Sequence, residues 1–325
     1  MNSLKRYQRV LVFLLGMMLL TGFLSPWLYA SWDLLLGPGV AFIWQQVFGY
    51  YPDWRVPFPR FFNRTFMIFG MILFLTSWRW LVGVGSLREA GAVLGLRNAS
   101  SKVLDLSRGF GLALSSVVAI ALLMTAMGIF HPFFRYDLTE GIGKCTGALF
   151  AALSVGFLEE VFFRGMVFRG LLDDWKVGWS FFGANLFFAA IHFVKSPEQT
   201  FLEGIEPLAG IQNFGASLHR FAVPELMLPS FIGLFILGLV LCFAFYRTSS
   251  LYLPIGLHAG WVFGIKSILV FGEYRRRDLG WLFGKLRPTF LSGVVVWGAF
   301  LSVGIVLYGM TRRRHGLQQT LAREV

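Results

Sequence analysis

The chain has 325 residues, 56% of them hydrophobic and 17% aromatic, with a formal net charge of +12 and a mean hydropathy of +0.65. That apolar content excludes an ordinary soluble fold of this length and reads as a polytopic membrane protein. The basic residues lie in short clusters between apolar runs, the pattern of cytoplasmic loops, so the positive charge does not point to nucleic acid.

A spanning helix needs about 20 mostly apolar residues. Eight stretches qualify in outline: 10–29, 61–84, 109–130, 142 to about 170, 179–193, 231–246, 251–271 and 290–310. The expected fold is therefore an all-α transmembrane bundle of about eight helices. The first stretch follows Lys5, Arg6 and Arg9 as the apolar part of a signal peptide would, and Leu28-Tyr29-Ala30 resembles a weak cleavage site. Because the run continues to Trp27 and Tyr29, which suit an interfacial belt, it is read as an uncleaved first helix. Residues 31–48 are also apolar, but Gly37-Pro38-Gly39 interrupts them, which predicts a re-entrant or interfacial segment rather than a ninth span.

Eight spans put both termini on one side. Lys5, Arg6 and Arg9 at the start and Arg312, Arg313 and Arg314 at the end make that side cytoplasmic, with the chain in the inner (plasma) membrane. Arg88, Arg97, Lys102 and Arg108 between spans two and three agree, as do Glu198, Glu203, Glu206 and Glu225 in the long outer loop 194–229, where short helices are expected. Arg275, Arg276, Arg277, Lys285 and Arg287 dissent, since this scheme turns them outward; either the span count is wrong there or they form a patch that meets lipid headgroups. There is no internal repeat, no low-complexity tract and no glycine-rich nucleotide loop. Cys145 and Cys242 lie in apolar runs with neither metal-site nor disulfide spacing and read as packing residues. The chain divides into an N-terminal region of about three helices (1–140), a core (141–271), and a last helix with a basic tail (272–325).

The polar residues of the core carry the functional argument. Glu159, Glu160 and Arg164 stand in an otherwise apolar run, and charge at membrane depth costs a few kcal/mol per residue even on insertion-based scales. Glu159 lies 15 residues before Asp174, and His192 lies 14 after Gly178 on the other arm of a helical hairpin. At 1.5 Å per residue both sit about 21 to 23 Å from the turn. His258, eight residues after Ser250 in span seven, reaches a similar level. Arg164 is four residues after Glu160 and so on its face, which pairs those two and leaves Glu159, about 100° away, free for chemistry. A lone buried histidine or a Glu–Arg pair is as well explained by packing. Several titratable groups at one depth favour a site. His131, His219 and His315 read as surface residues. With no serine or cysteine nucleophile beside a base, water activated by a glutamate is the attacking group that fits.

These residues resemble the CPBP intramembrane protease family, which includes the type II CAAX prenyl endopeptidases and bacteriocin-immunity proteins. The first family motif, two glutamates, three variable residues and arginine, is matched by Glu159, Glu160 and Arg164, with Gly165 following. The second, phenylalanine and a histidine four later, is matched by Phe188 and His192; the third is matched by His258, but residue 262 is valine where the family usually has asparagine or another polar residue. The resemblance implies an intramembrane endopeptidase in which Glu159 activates water, His192 assists, and His258 stabilises the oxyanion, with Glu160 and Arg164 in support. It implies no cofactor; a zinc ion held by Glu159, His192 and His258 is the alternative. Trp261 and Asn185 are candidates for the polar group that Val262 does not supply. The partners expected are the bilayer and a peptide or protein substrate, not nucleic acid. Val262 keeps open a second reading, a non-catalytic binding or immunity protein on the same bundle. A transporter with a proton relay is a third, although the paired broken helices of such sites are missing from the pattern.

Overall fold

A computed structural model describes residues 4–48, 56–96, 102–194, 200–222, 224–276, 279–284 and 291–321. Among them the chain is an all-α polytopic bundle, with seven helices long and apolar enough to cross a membrane. The fifth expected span forms an apolar helix of only 15 residues, Val177–Ile191, about 22 Å long against a hydrocarbon core of about 30 Å. The chain packs as two compact units: Met1–Gly83 with Ile191–Met227, and Val84–Ala190 with Leu228–Val325. Each unit draws on distant parts of the sequence.

In the first unit, α1 (Arg6–Ser31) does not stop before Gly37-Pro38-Gly39. It passes through a π-helical turn, Trp32–Leu36, into α2 (Gly37–Phe48), one continuous helical run. The Gly37 amide donates five residues back to the Trp32 carbonyl. A proline removes an amide donor and pushes on the preceding turn, and the wider turn takes up that demand without a break. The expected interruption of residues 31–48 is thereby corrected. α3 (Phe58–Val82) begins on Pro57-Phe58-Pro59 and ends at Gly83, whose φ of 78° gives the left-handed cap that favours glycine. Arg9 on α1 donates to the Trp80 carbonyl at 2.8 Å, a cation on the C-terminal end of α3. At the other end Tyr29 meets Phe58 and Phe61 edge-on, with ring centroids 5.4 and 5.3 Å apart, and Phe62, Leu202 and Ala209 complete the cluster. The loop expected to carry short helices contains α9 (Ala209–Leu218).

The second unit contains α4 (Leu87–Val93), capped by the Ser86 hydroxyl accepting from the Glu89 amide, then α5 (Lys102–Ala126), α6 (Leu138–Glu160), α7 (Arg169–Asp174), α8 (Val177–Ile191), α10 (Pro224–Thr248), α11 (Tyr252–Ser267), the short α12 (Gly280–Phe283) and α13 (Val294–Leu321). A π-helical stretch, Val161–Phe168, joins α6 to α7. Two three-residue strands, β1 (Phe130–Pro132) and β2 (Gly272–Tyr274), pair antiparallel and tie the chain beyond α5 to the chain beyond α11. Arg275 and Arg276 follow β2, whereas Arg277, Lys285 and Arg287 lie outside the described residues, as do Arg97 and Glu198.

α11 is the centre of this unit: 11 of its 16 residues are buried, and it packs between α5 and α6. Lipid tails are as apolar as leucine, so helices in a bilayer associate through close packing, which small residues permit. Gly256, Gly260 and Gly264 recur every four residues along one face of α11. A Cβ on Gly256 would stand 2.1 Å from the Leu106 carbonyl oxygen, and one on Gly260 would stand 2.4 Å from that of Phe110. On the α6 side a Cβ on Gly156 would stand 3.2 Å from both the Ile255 carbonyl oxygen and the Ala259 amide nitrogen. These contacts set the distance between the last turn of α6 and the middle of α11, where the glutamates and His258 lie.

Candidate functional site

Glu159 and Glu160 close α6, and the π-helical stretch starts at the next residue. Such stretches recur at functional positions, because they re-aim side chains within a continuous helix. Glu160 and Arg164 are fully buried and joined at 2.8 Å, Arg164 Nη1 donating to Glu160 Oε1. The same oxygen lies 2.7 Å from His258 Nδ1. With Nδ1–H given to Glu160, the other ring nitrogen, Nε2, faces Glu159 at 3.9 Å from Oε2. Glu159 is the more open of the two glutamates, its side chain 29% exposed against none for Glu160. A histidine thus stands between two neighbouring carboxylates, orienting on one and facing the other.

Arg164 is held from further directions. Nη2 points at the Gly238 carbonyl of α10 at 3.5 Å, and the guanidinium carbon lies 4.3 Å from the centre of the Phe188 ring on α8. Phe188 is itself 1% exposed and edge-on to Phe163 at 4.9 Å and to His258 at 6.4 Å. The aromatic residue of the second motif is therefore the floor under the arginine of the first. A cation over a desolvated ring gains about 2 kcal/mol. Phe188→Leu, which keeps the apolar bulk and removes the ring face, is expected to lower stability in detergent by about 1 to 2 kcal/mol, as read from thermal unfolding; an unchanged midpoint would show the contact to be incidental.

Asn185 and Trp261 are both committed to packing. Asn185 is fully buried, its amide nitrogen donating to the Phe181 carbonyl at 2.7 Å and its oxygen accepting from the Cys242 thiol at 3.6 Å. It ties α8 to α10. The Trp261 indole, a candidate substitute donor for Val262, donates its N–H to Ser116 Oγ on α5 at 3.0 Å. Trp261 follows His258 by three residues and turns towards α5, whereas His258 faces α6. Val262, one turn after His258, is half-buried. Among the other histidines, His131 is half-buried in β1 opposite Glu273, while the side chains of His219 and His315 lie outside the described residues.

His192 follows α8 directly, half-buried and one turn beyond Phe188 in the chain, and belongs to the first unit. Among the described residues no three His, Cys, Asp or Glu side chains form a group arranged to hold a metal ion. The proximity of Glu160 to His258 was not part of the sequence reading. The residues are 98 apart, and the available signal was Gly156, the glycine of α6 that allows α11 so close.

Residues 141–264 match the family model described as type II CAAX prenyl endopeptidase Rce1-like. The match starts in the first turn of α6 and ends in α11, enclosing all three motifs. No curated protein and no solved structure matches the chain.

Proposed function

We propose, from the premise that residues 141–264 are an Rce1-like domain of the type II CAAX prenyl endopeptidase family, that this membrane protein is an intramembrane endopeptidase in which Glu159 activates water. The observation that supports this most is the 3.9 Å approach of Glu159 Oε2 to His258 Nε2, with Glu160 holding the far side of the imidazole. One water oxygen can hydrogen-bond to both atoms at ordinary lengths of about 2.8 Å. Glu159 takes a proton from that water as its oxygen attacks the peptide carbonyl, and later gives it to the departing amine. His258, as imidazolium, donates Nε2–H to the carbonyl oxygen that becomes the oxyanion; a donor of this kind contributes about 3 to 4 kcal/mol in known hydrolases. Glu160 and Arg164 keep the ring oriented. The assisting role of His192 follows from the second motif alone.

The reaction is written without a metal, so cleavage is expected to continue in the presence of a strong chelator; complete loss, restored by zinc, would favour the set of Glu159, His192 and His258. Both termini are proposed to be cytoplasmic and the membrane to be the inner (plasma) membrane, supported by the basic clusters at both ends. The substrate is a peptide or protein presented at the membrane.

The test compares the termini of membrane proteins in cells carrying the wild-type chain or Glu159→Gln. New termini that depend on Glu159 support the proteolytic reading. Identical termini, with both chains equally expressed, would overturn it in favour of the binding or immunity reading that Val262 suggests.

A further inference from the structure

A second polar feature of the larger unit lies away from the glutamates. Between α10 and α13 an apolar groove of about 340 Å³ is lined by Leu239, Val240 and Phe243 on one side and Gly304, Ile305 and Tyr308 on the other. A Cβ on Gly304 would reach ordinary contact with Val240 Cγ2, at 3.6 Å.

A cation stands beside two of the lining rings. Arg247, one turn after Phe243, has its guanidinium carbon 5.9 Å from the centre of the Phe243 ring and 5.5 Å from that of Tyr308, both of which line the groove. It is 9% exposed, and its Nε donates to Thr311 Oγ1 on α13 at 3.2 Å. Among the described residues no carboxylate pairs with it. α10 ends at Thr248, and the apolar run of α13 gives way in sequence to Arg312, Arg313 and Arg314, so Arg247 lies near the polar ends of both apolar runs, and the exposed Arg312 follows its hydroxyl partner in the chain. A buried arginine without a carboxylate is costly unless an anion meets it. Basic pockets between helices at this level suit acidic lipid headgroups, whose phosphate can take two parallel guanidinium bonds.

We propose that the α10–α13 groove is a binding site for an anionic phospholipid, with an acyl chain against Val240 and Gly304 and the phosphate at Arg247. This assignment does not depend on the proteolytic reading. An apolar slot beside a buried cation matches a molecule with an alkyl chain and a negative head, whereas a peptide would leave its amides unpaired there.

The experiment uses the full chain purified in detergent, with phosphatidylglycerol and phosphatidylcholine of the same acyl chains as probes. Bound lipid is counted by native mass spectrometry, and folding is followed by thermal unfolding. Wild type is expected to retain phosphatidylglycerol in preference to phosphatidylcholine. Arg247→Gln is expected to bind it about fivefold more weakly, the worth of one arginine near a headgroup. Gly304→Phe, which fills the slot and leaves the cation, is expected to lose the lipid at unchanged unfolding temperature. Thr311→Val, which removes only the protein partner of Arg247, is expected to keep it. If Arg247→Gln does not fold, Arg247→Lys and Gly304→Phe carry the test. Equal retention of both lipids by wild type, or undiminished phosphatidylglycerol in folded Gly304→Phe, overturns the proposal. Protection by inorganic phosphate alone, equal to that by phosphatidylglycerol, overturns the lipid as its occupant.

Discussion

Glu159→Gln is expected to lower peptide hydrolysis about 10²- to 10⁴-fold, the usual worth of a general base, while its thermal unfolding in detergent stays close to that of the wild type. The neighbouring variant should behave differently. Glu160 is fully buried and accepts from both Arg164 and His258, so Glu160→Gln leaves the arginine without its counter-ion and weakens the restraint on the imidazole. Breaking a buried pair by removing one partner costs about 3 to 5 kcal/mol, so this variant should lose both activity and stability. The Glu159 side chain, by contrast, is partly exposed. The informative result is the pair of measurements on each variant: activity alone falls for position 159, and activity and stability fall together for position 160. The reverse pattern, with stability lost at 159 and catalysis retained, would assign the two carboxylates the other way round.

The second large effect is expected at a glycine with no chemical function. Gly256→Ala adds one methyl group, and its Cβ would sit 2.1 Å from the Leu106 carbonyl oxygen. Backbone on both sides must part by more than 1 Å, since neither atom is the far end of a flexible side chain. Overpacking of this kind costs about 3 kcal/mol. The shift also moves α11 two residues before His258, so hydrolysis should fall even in the fraction that folds. Gly147→Ala on α6 is the matched control, because nothing lies within 4 Å of its added carbon and alanine favours a helix by about 1 kcal/mol. Unfolding temperature and expression of the two variants decide the matter; equal stability would mean that α5 and α11 are not held at this distance.

What the sequence made legible, and what it hid, follows from the range over which each signal acts. The spans could be read because hydropathy is a local sum, and the Glu160–Arg164 pair because four residues is one helical turn. The shortness of Val177–Ile191 was less visible, since its apolar composition runs on to Phe193. The Gly37-Pro38-Gly39 motif was misread for a different reason. Its residues disfavour an α-helix, but a π turn upstream satisfies them without leaving the helix, and that depends on backbone geometry rather than residue type. The contact between His258 and Glu160 depends on how deeply α11 sinks between α5 and α6. Gly256, Gly260 and Gly264 advertise that one face of α11 is smooth, but not which helix lies against it. Trp261 illustrates the same limit: its distance from His258 in sequence was known, and its direction was decided by Ser116.

The π-helical stretch after Glu160 gives the long helix a property that a uniform α-helix lacks. In a regular helix every side chain is bound to every other by a fixed 100° step, so turning one face towards a neighbour turns all of them. The wider turns from Val161 to Phe168 slip that phase. Upstream, Gly156 sets the helix against Ala259; downstream, Gly165 sets it against Leu94, whose carbonyl oxygen would stand 3.2 Å from a Cβ added there. The two docking faces can therefore be adjusted separately, like two gears joined by a clutch, and the glutamates sit at the joint. An insertion or deletion of one residue within 166–168, which keeps Arg164 one turn after Glu160, should accordingly be tolerated better than one at Ala152, where the same change would rotate Glu159 and Glu160 away from His258.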